Sequence, residues 1–170
     1  MKQVLLIDDD AAVRAALSQT LQLADLDVIV CSAFIEAKDH ISAEFKGIIL
    51  TDIRMPGRDG FYVLDYVMNC DADLPVVMLT GEGDIPMVVK AIGQGAFGFL
   101  EKPCPPDALL PVIDRAIKHR ELVLENRDLK AQVAQTDPAA RLVFGLSDQS
   151  EILRQTIRKA AHSGTEAIVT

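Results

Sequence analysis

The sequence predicts an α/β fold, a doubly wound five-stranded parallel sheet followed by a long C-terminal helix. Three observations predict it. Five short apolar runs rich in Val, Ile and Leu recur, at Val4 to Ile7, Val28 to Cys31, Ile48 to Thr51, Val76 to Leu79 and Phe97 to Leu100, and they read as buried strands. Segments of helical periodicity lie between the runs, and β-α alternation implies a parallel sheet covered on both faces. Helical character then persists from Pro106 to about Gln135, a length of ~45 Å, before Asp137-Pro138 breaks it.

Each element has a local cause. The first run ends in Asp8-Asp9-Asp10, and Asp10, directly before Ala11-Ala12-Val13, has the residue type and position of a helix N-cap. Val13, Leu17, Leu21 and Ala24 form one face of the helix that follows. The third run ends in Thr51-Asp52, and the Pro and Gly of Ile53-Arg54-Met55-Pro56-Gly57 mark a tight turn. Phe61, Leu64, Val67 and Met68 supply the next apolar face, and Val88, Val89 and Ile92 the one after. The fourth run leads into Thr80-Gly81-Glu82-Gly83 and the fifth into Glu101-Lys102-Pro103. Cys104-Pro105-Pro106-Asp107 has the Pro-rich, acidic character of a helix start; Pro111, just over a turn later, costs a backbone hydrogen bond or bends the helix locally. Gly93-Gln94-Gly95-Ala96-Phe97-Gly98 spells G-x-G-x-x-G but runs from helix to strand, the reverse of a dinucleotide fingerprint, so it reads as a C-cap and turn.

The 170 residues suit one well-buried core plus an appendage, and 49% apolar with 25% charged residues is the balance of a folded aliphatic chain. Residues 1 to 110 hold 17 acids against 8 Lys/Arg, whereas 111 to 170 hold 8 against 9. An acidic surface repels phosphate backbones and attracts cations, so no direct nucleic-acid partner is expected. Cys31, Cys70 and Cys104 are odd in number and outside any C-x-x-C spacing, which fits small apolar fillers in a reducing compartment. No run approaches the ~20 apolar residues of a membrane span, and a cytoplasmic location is expected.

The last helix outruns a domain of this size. Leu122, Asn126, Leu129 and Val133, at alternating spacings of four and three, form a short coiled-coil seam with one polar position. The expected partner is a second copy, a homodimer through the last helix and linker; the alternative is that the stripe packs on its own domain. Leu142 to Thr170 contains a Ser147-Asp148 start, a helix-like run from Glu151 to His162, a Gly164 stop and an apolar run from Ala167 to Val169, which together look like the opening of another domain. The expected boundaries are 1–120, 121–140 and 141–170.

In a doubly wound sheet, ligands bind outside the carboxyl ends of the strands. Asp8, Asp9, Asp52, Thr80 and Lys102 all fall there. Adjacent carboxylates are costly to ionise together, and a divalent cation offsets the cost; oxygen ligands with room for water favour Mg²⁺. A carboxylate at Asp52 can act as a nucleophile towards phosphorus, with Lys102 as a second cation and the Thr80 hydroxyl as donor to a phosphoryl oxygen.

The joint set of the Asp8-Asp9 pair, Asp52 with Met55-Pro56-Gly57, Thr80 and Lys102-Pro103 resembles the receiver domain of bacterial two-component response regulators, over residues 2 to about 120. The resemblance implies a flavodoxin/CheY-like fold and a phosphoacceptor signalling domain, not a metabolic enzyme. It makes Asp52 the acceptor from a sensor histidine kinase. Asp9 becomes the direct Mg²⁺ ligand, with Asp8 acting largely through water, and Asp52 and the backbone carbonyl of Arg54 become further ligands. Thr80 becomes the switch hydroxyl, Lys102 the phosphate partner, and Phe99 the aromatic residue that follows Thr80 inward. Gly81 departs from the Ala many receivers carry there. More narrowly, Thr80 to Met87 and Gly95-Ala96-Phe97 are similar to receivers of NtrC-type, sigma-54-dependent activators, and most of all to regulators of C4-dicarboxylate transport. Glu125-Asn126-Arg127-Asp128-Leu129 resembles their linker, and Leu153 to Ile157 the first helix of their AAA+ domain. No G-x-x-x-x-G-K-[ST] occurs, so any ATP or DNA function is expected of residues outside this chain.

Two rivals follow. Asp8-Asp9-Asp10 also resembles the start of haloacid-dehalogenase phosphatases, with Asp8 as nucleophile, although Ala12 occupies the fifth position and Asp71 and Asp73 stand in the wrong context before Pro75. A stand-alone phosphate-relay receiver is the other.

Overall fold

The computed structural model describes residues 2–81 and 84–136. The chain divides into two compact units, Met1–Val123 and Leu124–Thr170. In the first, strands β1 (Gln3–Ile7), β2 (Asp27–Cys31), β3 (Gly47–Asp52), β4 (Val76–Thr80) and β5 (Gly98–Glu101) form one parallel sheet in the order β2-β1-β3-β4-β5. Helices α1 (Ala11–Leu23), α2 (Phe34–Ala37), α3 (Gly60–Cys70), α4 (Ile85–Gly93) and α5 (Pro106–Thr136) alternate with the strands, and a 3-10 turn over Lys38–His40 follows α2.

Alternation of side chains along the central strands makes two cores. Leu5, Ile7, Ile49, Val76 and Met78 meet Phe34, Val63, Leu64, Val67 and Ala91 on one face, while Val4, Leu6, Ile48, Leu50, Val77 and Leu79 meet Leu17, Leu21, Leu109, Ile113 and Ile117 on the other. Helices α1 and α5 therefore cover one face and α2, α3 and α4 the opposite one. Asp10 caps α1 as expected, accepting from the amides of Ala12 and Val13 at 2.9 and 3.3 Å.

The far edge of the sheet carries a buried polar clamp. Arg120 of α5 is fully buried; its guanidinium donates to the carbonyls of Phe45 (3.0 Å) and Ala43 (2.9 Å) and pairs with the Asp71 carboxylate at 2.8 Å.

Several expectations are corrected. The short α2 lies in a stretch with no long periodic stripe, and Phe34 accounts for it: the buried ring stands edge-on to Tyr62 and Tyr66, each at 5.0 Å. In α4, Val89 and Ile92 face solvent and Ala91 faces the core. This nine-residue helix docks through its smallest side chain, which brings its backbone close and turns the larger apolar groups outward. Cys70 is exposed, not a core filler, because it ends α3 beyond the last buried turn at Val67. Phe97 lies just before β5, its amide bonded to the Val76 carbonyl at 2.8 Å. Gly95, at φ +105°, makes the turn out of α4.

Helix α5 runs to Thr136, with Pro111 inside it, and Leu122, Leu129 and Val133 are exposed. Among the described residues no helix is long and apolar enough to cross a membrane. The features expected between Leu142 and Thr170 lie outside the described residues.

Candidate functional site

The order β2-β1-β3 places the ends of β1 and β3 side by side where the chain departs in opposite directions, to α1 on one face and α3 on the other. Asp8 follows β1, Asp52 ends β3, Thr80 ends β4 and Lys102 follows β5. Parallel register does the rest of the positioning: Asp52 lies opposite Leu79, and Thr80 opposite Glu101.

Carboxylate oxygens of Asp8, Asp9 and Asp52 lie within 4.8 Å of one another. Asp8 is fully buried and Asp9 exposed, so the cluster opens to solvent on one side. The Lys102 ammonium stands 2.8 Å from Asp8 Oδ2 and 3.2 Å from Asp52 Oδ1. Asp8 Oδ1 accepts from the Asp10 amide at 2.9 Å, and Arg14 donates to the Asp8 carbonyl at 2.6 Å. Asp8 Oδ2 is buried with no hydrogen-bond partner, only the ion pair with the Lys102 ammonium. A buried anionic oxygen in that condition is costly, and a hard divalent cation bound to this all-oxygen set would relieve it. The donor set therefore fits Mg²⁺.

Burial pushes the Asp52 carboxyl above its ordinary value; the Lys102 charge opposes this and the Asp8 charge reinforces it. Burial alone would lower the Lys102 ammonium, but its close ion pair with Asp8 and the Asp52 charge hold it above the usual lysine value.

Behind Asp52, Gly60 opens α3 so close to β3 that a Cβ there would lie 2.4 Å from the Asp52 carbonyl oxygen. The Thr80 hydroxyl is buried and donates to the Leu100 carbonyl at 3.4 Å. Beside it a cavity of about 180 Å³ is lined by Thr80, Asp84, Val88 and Phe99. The Phe99 ring, 46% exposed, lies at its outer wall rather than in the core.

At the rim, Arg54 grips Asp84 with both Nε (3.4 Å) and Nη2 (2.6 Å), and Asp84 Oδ2 also accepts from the Gly81 amide at 3.1 Å. The Arg54 hydrogen bond holds the Asp84 carboxyl below the usual range.

Of the residues singled out in the sequence, Asp8, Asp9, Asp52 and Lys102 converge within contact distance. Thr80 adjoins them on the next strand, and Phe99 stands apart on the outside. Sequence reasoning missed Arg14, Gly60 and Asp84. Only Asp59-Gly60, an N-cap followed by a residue without a side chain, carried a local signal.

The family model described as Response regulator receiver domain matches residues 4–114. The chain belongs to that family. The receiver is 42% identical over 167 residues to the C4-dicarboxylate transport transcriptional regulatory protein DctD of Pseudomonas aeruginosa, covering 98% of this chain and 36% of that protein. Its identity to the DctD protein of Rhizobium meliloti is 41% over 166 residues, with the same coverage. It thus spans about a third of the length of the curated relatives it matches. Among solved structures it is similar to the beryllofluoride-activated NtrC4 receiver domain dimer, with TM-score 0.66 and 32% identity over 71% of this chain and 99% of that one. Against the phosphatase rival, Asp8 is fully buried and Asp71, paired with Arg120, lies at the opposite edge of the sheet.

Proposed function

We propose that Asp52 accepts a phosphoryl group from a phosphohistidine of a sensor histidine kinase in a Mg²⁺-dependent step. The observation that carries the reading is the convergence of the Asp8, Asp9 and Asp52 oxygens, one of them without a donor, against the Lys102 ammonium. An Asp52 carboxylate oxygen attacks phosphorus; the O–P bond forms as the P–N bond breaks, and the imidazole leaves with the electron pair. Lys102 neutralises charge gathering around the transferred group, and Thr80, once turned from the Leu100 carbonyl, donates to one of its oxygens. Asp8, Asp9, Asp52 and the Arg54 backbone carbonyl would hold the metal. When bound, Mg²⁺ offsets the negative charge of the phosphoryl group.

The chain catalyses only its own phosphorylation and dephosphorylation, and acts as a switch in the cytoplasm. In the full-length protein, by likeness to the DctD relatives, residues 1–120 are the receiver, 121–140 a helical linker and 141–170 the start of an AAA+ domain that serves sigma-54-dependent transcription of C4-dicarboxylate transport genes. The exposed Leu122, Leu129 and Val133 support a homodimer through the last helix, and the NtrC4 receiver is a dimer when activated. A small phosphodonor with Mg²⁺ should label Asp52 stably, and the label should disappear in Asp52→Asn. A label mapped to Asp8, or multiple turnover on phosphate esters, would overturn the reading. Light scattering with and without beryllofluoride tests the coupling to assembly.

A further inference from the structure

The side chain of Arg54 is a cation at the rim of the site to which the proposed phosphoryl transfer gives no role. It sits two residues past the phosphoacceptor, is mostly exposed, and is engaged by Asp84. Asp84 in turn is tied to the amide of Gly81, one residue past Thr80. The three residues form a strap across the mouth of the site, joining the loop after β3 to the loop after β4. Asp84 also occupies the N-cap position of α4, yet its carboxylate makes no capping bond there. Aspartate is a preferred cap, and here its side chain is diverted.

Resting on Asp52 as phosphoacceptor, we propose that Arg54 is a second phosphoryl-binding cation that Asp84 holds in reserve, and that phosphorylation transfers its guanidinium from Asp84 to the phosphoryl oxygens. Three arguments converge. A phosphoryl group brings ~1.5 to 2 negative charges and three acceptor oxygens, against one charge on Asp84, and a guanidinium fork suits both. Asp8, Asp9 and the phosphoryl group together carry more negative charge than Mg²⁺ and Lys102 offset, and Lys102 is already shared by two carboxylates at 2.8 and 3.2 Å, so a further cationic side chain meets an unfilled need. The Arg54 side chain is 66% exposed, leaving it free to turn. Its departure frees Asp84 to cap the first turn of α4 and unpins the amide next to Thr80. Gly81 is part of the device: a Cβ there would lie 3.3 Å from Asp84 Oδ2, so alanine would crowd the strap.

The test is a titration of the 170-residue chain with beryllofluoride in saturating Mg²⁺, for wild type, Asp84→Asn, Arg54→Met and the double variant. Removing one exposed ionic partner should tighten beryllofluoride binding about threefold in Asp84→Asn, and loss of a charge-assisted contact should weaken it about tenfold in Arg54→Met. The double variant should match Arg54→Met alone, because Asp84 acts through Arg54. Unchanged or weaker binding in Asp84→Asn, or tightening that persists without Arg54, overturns the inference. If wild type takes up no beryllofluoride, the phosphoacceptor reading falls with it; if wild type responds and Asp84→Asn does not, the strap alone falls.

Discussion

Arg120 is the largest fully buried side chain among the described residues, and replacing it with methionine keeps an unbranched apolar stem while removing the cation. Arg120→Met leaves the Asp71 carboxylate without its buried partner at 2.8 Å and withdraws donors from the carbonyls of Ala43 and Phe45. Breaking one side of a buried pair costs about 3–5 kcal/mol, and each carbonyl deprived of a donor adds about 1 kcal/mol where water cannot replace it. Asp71 Oδ1 keeps the Asp73 amide at 3.0 Å, which moderates the loss. The expected destabilisation is about 5 kcal/mol, the lower end of that sum, read from urea unfolding followed by circular dichroism at unchanged m-value. Asp71→Asn removes the stranded charge and preserves the turn, so Arg120→Met/Asp71→Asn should be about 2 kcal/mol more stable than the sum of the single losses. Additive losses, or a single-variant cost below about 1 kcal/mol, would refute the view that a charge-paired clamp closes this edge.

Four further outcomes are expected. Because burial raises the Asp52 carboxyl in the folded state, ionising it costs stability as pH climbs through that value; Asp52→Asn should therefore melt higher than wild type at neutral pH without Mg²⁺, with the advantage vanishing below the ordinary value of 3.8. Adding Mg²⁺ should raise the wild-type melting temperature and much less that of Asp9→Asn, as calorimetry would show. Gly60→Ala, whose Cβ would overlap the Asp52 carbonyl, should cost about 1–3 kcal/mol and weaken beryllofluoride binding even where the protein stays folded. With a chromogenic thiol reagent the native chain should show one fast cysteine, the exposed Cys70, while Cys31 reacts slowest because burial, and then the Glu36 charge, push its thiol up.

Much of this was legible in the residues because a parallel sheet writes its register directly into the chain. Each strand is a continuous Val/Ile/Leu run, and the residue after it must fall on the ligand edge; that alone places Asp8, Asp52, Thr80 and Lys102. What was illegible depends on which neighbour a side chain meets. The Arg120–Asp71 pair joins residues 49 apart and the Arg54–Asp84 pair residues 30 apart, with no local pattern to announce either. The stripe of α4 misled for a related reason: Val88, Val89 and Ile92 have the spacing of a core face, but a helix that docks through Ala91 turns Val89 and Ile92 outward. Phe34 made a helix too short for periodicity to reveal.

The clamp at Arg120 has a mechanical consequence. Phe45 and Ala43 lie just before β3, and Asp71 just after α3, so one guanidinium anchors the rear ends of both elements that hold Asp52 from below and behind. Displacing either rear end would break buried hydrogen bonds of that one guanidinium. On the other side of Asp52, α4 buries Ala91 alone among its described side chains, and Phe99 borders an open cavity. A charge arriving at Asp52 would thus find a tied framework on one flank and a sparsely packed wall on the other, and movement is expected on the sparse side.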